Sequence, residues 1–175
     1  MTSQSVDQHA EEILRQTDTY KVPVPIEVVA HRLGLTTEAS ALGDGVSGML
    51  VVENDRGAIG YNSSHARVRQ RFTVSHEISH FVLHLKKNRR SQLFIDPFVI
   101  FRRDDTSATG NDKQEVEANQ FGAALLMPAS LVLKEIKKNA LDLDDEDALS
   151  FLAKRFRVST VAMTYRLNTL GLLRT

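Results

Sequence analysis

The chain has 175 residues, of which 42% are hydrophobic, so it is long enough for a single domain with a substantial core. Lysine and arginine total 22, and aspartate and glutamate also total 22. This formal charge of zero disfavours broad, non-specific nucleic-acid binding. The absence of cysteine excludes disulfides and thiolate metal sites. Any zinc site must therefore use histidine and carboxylate, a donor set more typical of catalytic than of structural zinc.

Residues 1–12 are polar and acidic, and they lack the apolar segment of a signal peptide. No apolar run approaches the roughly 20 residues that a membrane-spanning helix needs. We therefore expect a cytoplasmic protein that does not bind membranes. No pattern in the sequence indicates the oligomeric state.

The N-terminal part of the chain predicts two helices. The first is amphipathic and ends near residue 17. Residues 20–25 are predicted to be extended, because each proline disfavours helix at the residue before it. The second helix begins at Pro25, which suits a first helical turn, and is closed by Gly34.

Strand patterns follow in two places. Residues 46–52 and 58–61 flank a turn cluster and predict a hairpin, which indicates an antiparallel sheet. Residues 93–95 and 98–101 are also apolar and extended in character. Pro97 lies between them and cannot donate a ladder hydrogen bond, so any strand there is expected at a sheet edge.

A longer helix is predicted over residues 66–85, and it contains the pattern H-E-x-x-H, formed by His76, Glu77 and His80. Residues four apart lie on one helix face, so the two imidazoles can share one zinc ion. Glu77 falls beside them, where it can reach an activated water rather than the metal. Because the pattern is short and arises by chance in unrelated helices, alone it does not establish a metal site.

A catalytic zinc needs a third protein ligand. His84 is on the same helix, but eight residues place it about 12 Å along the axis from His76, too far for one metal. Glu115 and Glu117 are the alternatives, since both lie next to an apolar run that must pack inward. Glu115 is favoured, because Asn119 one turn further on can then hydrogen-bond a ligand histidine. Without the upstream pattern, both glutamates would be interpreted as surface residues that complement the helix dipole.

The C-terminal part of the chain predicts four helices with an acidic linker between the second and third: 112–127, 129–138, 148–156 and 160–170. The last two have helix-turn-helix spacing, with Ser159 capping the second helix and Arg155, Arg157 and Arg166 nearby. This spacing is typical of DNA-binding domains, but it is also found in helical pairs that pack on a protein core. The zero net charge favours packing, so DNA is not the favoured partner.

Two segments together resemble the ImmA/IrrE family of metallo-endopeptidases: RQRFTVSHEISH at 69–80 and EVEANQFGAALLMP at 115–128. The family pairs an RFTxxHExxH helix with an ExxANxFxAxLLMP helix, and the similarity extends over most of residues 22–128. Gly122 stands where alanine is commoner in the family, and Ser79 stands where glycine is. Both residues are small, so we expect the site to be retained.

The resemblance implies a zinc ion held by His76, His80 and Glu115, with Glu77 as the general base of a hydrolase. It also implies site-specific, intracellular cleavage of a helix-turn-helix transcriptional repressor, which would relieve repression in a stress response or in a mobile element. The sequence does not specify the substrate, the scissile bond or the activating signal.

We therefore predict an α+β fold with a zincin-like metallopeptidase domain over residues 1–140. In it, a small antiparallel sheet packs on the H-E-x-x-H helix and on a second, ligand-bearing helix. Residues 141–175 are predicted to form a helix-turn-helix-like extension packed on this domain. The substrate could lie extended along a sheet edge. Tyr61 and His65 are candidate donors to the oxyanion of the transition state by their proximity in sequence, although a packing or surface role is favoured for each.

Two other classes of function fit the same residues. One is a DNA-binding transcriptional regulator in which the metal site is not catalytic. The other is a metal-stabilised interaction module, in which Glu77 has no chemical role and the histidines serve only stability. Replacement of Glu77 separates the enzyme from both, since only the enzyme needs that carboxylate.

Overall fold

The structure is a computed structural model that describes residues 3–43, 45–53, 56–85, 92–97 and 110–173. Within these residues the chain forms seven α-helices and one four-stranded sheet. The helices are α1 (Ser3–Gln16), α2 (Ile26–Arg32), α3 (Arg67–His80), α4 (Gly110–Leu126), α5 (Ala129–Lys138), α6 (Glu146–Phe156) and α7 (Thr160–Thr169). The strands are β1 (Leu35–Ser40), β2 (Val46–Glu53), β3 (Arg56–Asn62) and β4 (Gln92–Pro97).

The sheet has the order β1-β3-β2-β4. β2 and β3 form the predicted antiparallel hairpin, and Gly48 of β2 lies opposite Tyr61 of β3. The prediction of an antiparallel sheet is wrong at one edge, because β1 pairs with β3 in parallel. Only Leu35 of β1 is buried, so this strand has no alternating pattern by which the sequence would reveal it. The fold is therefore α+β with a mixed sheet.

The strand predicted at 93–95 lies within β4, which pairs with β2 at the other edge of the sheet. Proline at the end of β4 is compatible with this edge position. The strand material predicted at 98–101 lies outside the described residues. α4 begins at Gly110, close to the predicted start of that helix.

α3 lies at the centre of the fold, with β2 and β3 on one side and α4 on the other. The helix predicted over 66–85 is regular to His80 and continues as a single π-helical turn, Phe81–Leu85. Nine residues of α3 are buried, among them the small polar residues Ser75 and Ser79. The Ser79 hydroxyl donates to the Ser75 carbonyl at 2.7 Å, which satisfies it without a partner outside the helix. Small side chains at these positions let the neighbouring elements approach closely.

The C-terminal helices α6 and α7 pack on each other and share one hydrophobic core with the rest of the protein. Ser159 caps α7, as predicted, by accepting a hydrogen bond from Ala162 N at 3.1 Å. Arg166 is buried, donates to the Met127 carbonyl at 2.9 Å and forms an ion pair with Asp7. The positive charge of Arg166 is therefore paired within the fold.

None of the described helices is by itself long and apolar enough to cross a bilayer. α4 and α5 meet the length and composition criteria for a membrane span only as a pair, and that pair is bent by 41°.

Because α6 is part of the shared core, we expect substitution of its buried residues to reduce the stability of the protein. Phe156 is fully buried and Phe151, on the same helix, is 39% exposed. Phe156→Ala should lower the free energy of unfolding by about 3–5 kcal/mol, because it removes buried surface and leaves a cavity. Phe151→Ala, the matched control, should change it by roughly 0.5 kcal/mol or less. Urea unfolding followed by circular dichroism measures both, and equal effects would contradict a shared core that includes Phe156.

Candidate active site

Two packed helices bring three potential metal ligands together. His76 and His80 project from one face of α3, and Glu115 projects from the first half of α4. The Nε2 atom of His76 lies 3.2 Å from Oε2 of Glu115, and Nε2 of His80 lies 3.2 Å from Oε1. The two Nε2 atoms are 3.0 Å apart. All three donor groups lie within 4.8 Å of one another, close enough for one ion to be bound by all of them.

The electrostatics of this cluster fit a cation site. The two imidazoles are 4% exposed, whereas the Glu115 side chain is 44% exposed. Hydrogen bonds with His76 and His80 lower the pKa of Glu115 far below its usual range, although partial burial opposes this shift. This shift favours the ionised carboxylate of Glu115. The exposed side of this carboxylate marks the side from which solvent reaches the cluster.

Asn119 orients one of the imidazoles. Its side-chain oxygen Oδ1 lies 3.1 Å from Nδ1 of His76. Because a carbonyl oxygen only accepts hydrogen bonds, His76 Nδ1 carries a proton, and Nε2 is the ring nitrogen that faces the cluster. Asn119 lies one turn beyond Glu115 on α4, so a single helix face supplies both the carboxylate and the group that orients the histidine.

Glu77 is fully buried on the side of α3 that faces the sheet. A Cβ atom on Gly48 of β2 would lie 3.2 Å from Oε1 of Glu77 and only 2.3 Å from Cγ2 of Thr73. Only glycine fits at position 48, and the backbone of β2 therefore forms the wall against the Glu77 carboxylate. Gly48 was not among the residues predicted from the sequence, although a glycine in the interior of a strand is a signal of such close approach.

His84 lies beyond the cluster, as its spacing from His76 predicted. Its ring centroid is 5.7 Å from that of His80, and its Nε2 atom is 4.0 Å from Oε2 of Glu117. Burial, followed by the charge of His80, lowers the pKa of His84. The structure thus places Glu115 with the two histidines of the pattern and Glu117 next to the third histidine.

The two candidate oxyanion donors lie at the end of the sheet. Tyr61 is opposite Gly48 in the β2–β3 ladder and is partly buried against the core. His65 follows β3 in the loop before α3, and burial together with the charge of Arg69 lowers its pKa. Donation from Tyr61 or His65 to a reacting oxygen stays a prediction.

The hydrogen bond between Asn119 and His76 can be tested by its effect on metal affinity. Asn119→Ala should weaken divalent-metal binding by roughly ten- to a hundredfold, because removal of a group that orients a ligand imidazole typically has an effect of this size. Gln120→Ala, at the exposed neighbouring position of α4, is the matched control and should bind as the wild type does. Competition with a chromophoric chelator measures both affinities, and unchanged binding by Asn119→Ala would exclude the orienting role.

Comparison with known proteins agrees with this geometry. A protein-family model for peptidase M78, described as the IrrE N-terminal-like domain, matches residues 25–168. No curated protein matches the chain. The matched range includes α3, α4 and all three residues of the cluster. The chain therefore belongs to the peptidase M78 family of metallopeptidases, the IrrE N-terminal-like domain.

Proposed function

We propose that the protein is a zinc-dependent endopeptidase in which His76, His80 and Glu115 hold the metal and Glu77 is the general base. The observation that carries this proposal is the convergence of two imidazoles from α3 and one carboxylate from α4 within 4.8 Å. Glu77 follows His76 directly in the chain, so its carboxylate is fixed to the same helix as two of the ligands.

The donor set fits zinc. Two histidine nitrogens and one glutamate oxygen form the ligand set of many catalytic zinc sites, with further positions left for water and substrate. A pair of histidines and a carboxylate also suits non-haem iron, but the H-E-x-x-H pattern and the peptidase family favour zinc. When bound, the metal supplies Lewis-acid activation of the attacking water and of the scissile carbonyl.

The residues of the chain contribute proton transfer and orientation. We assign Glu77 to accept the proton of the attacking water at a carboxylate oxygen and to pass it to the leaving amine. The Gly48 backbone restricts the position of this carboxylate, since a Cβ at Gly48 would lie 3.2 Å from Glu77 Oε1. Asn119 accepts from His76 Nδ1 and keeps that imidazole oriented.

The substrate we propose is a helix-turn-helix transcriptional repressor in the cytoplasm, cleaved at one site so that repression is relieved in a stress response or in a mobile element. Membership of a peptidase family supports a protein substrate. The sheet offers a binding mode for an extended segment, because β4 is an edge strand whose partner β2 borders Glu77. The repressor itself is proposed from the resemblance of the two helical motifs.

The alternative function is that of a DNA-binding regulator, and fewer structural observations support it. Of the arginines near the helix-turn-helix spacing, Arg166 is buried against Asp7, and Arg155 lies 3.0 Å from Glu135. Arg157 is exposed, and its carbonyl accepts a hydrogen bond from Arg71 at 3.2 Å. Arginines engaged within the fold are less suited to phosphate contact, so we favour the peptidase.

The role of Glu77 can be tested before the substrate is identified. Zinc-loaded wild type, added to a lysate of the source cells, should create new protein N-termini that mass spectrometry can identify, and we expect them in helix-turn-helix repressors. Glu77→Gln should bind zinc normally and create none of them, because an amide cannot accept the proton. New N-termini that persist with Glu77→Gln would show that Glu77 is not the general base.

The choice of third ligand is tested by a matched pair of variants. Glu115→Ala should reduce zinc affinity by at least a hundredfold, since it removes one of three ligands, whereas Glu117→Ala should leave the affinity within about twofold of the wild type. Isothermal titration calorimetry of the metal-free protein measures both. A strong loss with Glu117→Ala and none with Glu115→Ala would reverse the assignment.

A further inference from the structure

The strand that borders Glu77 contains a β-bulge. In the pairing of β2 with β4, Val46 lies opposite Pro97 and Gly48 lies opposite Asp96, so Ser47 is an extra residue on β2. Regular alternation along a strand would place neighbouring residues on opposite faces of the sheet. At the bulge, Ser47 and Gly48 are instead both buried.

Both of these residues of β2 contact one side of α3. Arg69 Nη2 donates to Ser47 Oγ at 2.9 Å. A Cβ atom on Gly48 would lie 2.3 Å from Thr73 Cγ2 and 3.2 Å from Glu77 Oε1. Arg69, Thr73 and Glu77 are four residues apart, so they form one row on the surface of the helix. The bulge therefore packs along the row of α3 residues that ends at Glu77. We call Ser47 and Arg69 the bulge clamp.

We propose that the bulge clamp positions the general base. The hydrogen bond from Arg69 fixes Ser47, and Ser47 fixes the main chain of Gly48 against the Glu77 carboxylate. This inference rests on the role of Glu77 in the proposed function and adds the residues that set the position of that base. Bulges are frequent next to active sites, where they change the direction of a strand. Ser47 and Arg69 are thus positioning residues, which act through Gly48 and Glu77.

The first readout is the rate of cleavage. Zinc-loaded Ser47→Ala should create the wild-type set of new N-termini in a lysate of the source cells roughly ten- to a hundredfold more slowly, because a small displacement of a catalytic group has an effect of this size. This substitution adds no atom and removes the acceptor of the hydrogen bond. Arg69→Met removes the donor. The double variant should be no slower than the slower single variant, because both substitutions break the same contact.

Two further readouts do not depend on cleavage. Zinc affinity, measured by chelator competition, should be that of the wild type in all three variants, because the bulge clamp lies on the sheet side of α3 and Glu115 lies on the α4 side. Acetohydroxamic acid is a probe of Glu77, since it chelates a metal through its two oxygen atoms and gives up a hydroxyl proton that Glu77 can accept. Its affinity, measured from the visible spectrum of the Co²⁺-loaded protein, should fall about three- to tenfold in the variants. Glu77→Gln gives the loss expected without a base.

Val52→Ala is the matched control for lost stability. Val52 is also a buried residue of β2, but it pairs with Gly57 and Gln92, beyond the bulge. Val52→Ala should lower the melting temperature, because it leaves a cavity in the core. It should leave the cleavage rate, the zinc affinity and the acetohydroxamic acid affinity unchanged. If the bulge clamp only stabilised the fold, Ser47→Ala would behave as Val52→Ala does.

The outcomes separate the bulge clamp from the proposed function. Wild-type cleavage and wild-type affinity for acetohydroxamic acid in Ser47→Ala would overturn the bulge clamp and leave the proposed peptidase intact. A loss of zinc affinity that accounts for the slower cleavage would also overturn it, since the effect would then pass through the metal ligands. Absence of cleavage by the wild type would overturn the proposed function, and the acetohydroxamic acid affinities would still decide the bulge clamp. Absence of zinc binding by the wild type would overturn both. If Arg69→Met does not fold, as circular dichroism would show, Ser47→Ala decides alone.

Discussion

The packing of α4 against α3 is the contact on which the site depends. It places one carboxylate between two imidazoles that are almost completely buried, at distances of 3.2 Å. Burial of ionisable groups is unfavourable unless they have partners, and here each group is the partner of the others. The same arrangement lowers the pKa of Glu115, so that its oxygens remain available to a cation. A cluster of this kind could hold a metal ion.

The main chain of a glycine lies against α3 on each of two sides, next to the adjacent residues His76 and Glu77. Gly122 of α4 contacts the backbone of His76, and Gly48 of β2 lies against the side chain of Glu77. A Cβ atom on Gly48 would clash with Thr73 Cγ2 at 2.3 Å, and one on Gly122 would make tight contacts of 3.0 to 3.4 Å with Ser75 and His76. Close packing of this type restricts the orientations that the side chains of His76 and Glu77, the proposed ligand and base, can adopt. Helix α3 is thus held between a helix and a sheet, with main-chain atoms of the neighbouring elements against it.

The C-terminal helices illustrate how one pattern supports two interpretations. Helix-turn-helix spacing is present in α6 and α7, and Ser159 caps the second helix. However, Arg166 is directed to Asp7 and to the Met127 carbonyl at the end of α4. Phe156, on α6, belongs to the same core cluster as residues of α4. In this protein the pair therefore supports the helix that carries Glu115.

The sequence by itself determined the features that depend on local periodicity and on local chemistry. The spacing of His76 and His80, the β2–β3 hairpin and the cap at Ser159 follow from residues near one another in the chain, and Glu115 with Asn119 follows from the face of one helix. Tertiary structure alone decided the parallel pairing of β1 with β3, the π-helical turn after His80 and the burial of Arg166. It also decided which glycines touch α3. These features depend on contacts between distant segments, for which a single sequence carries no periodic signal.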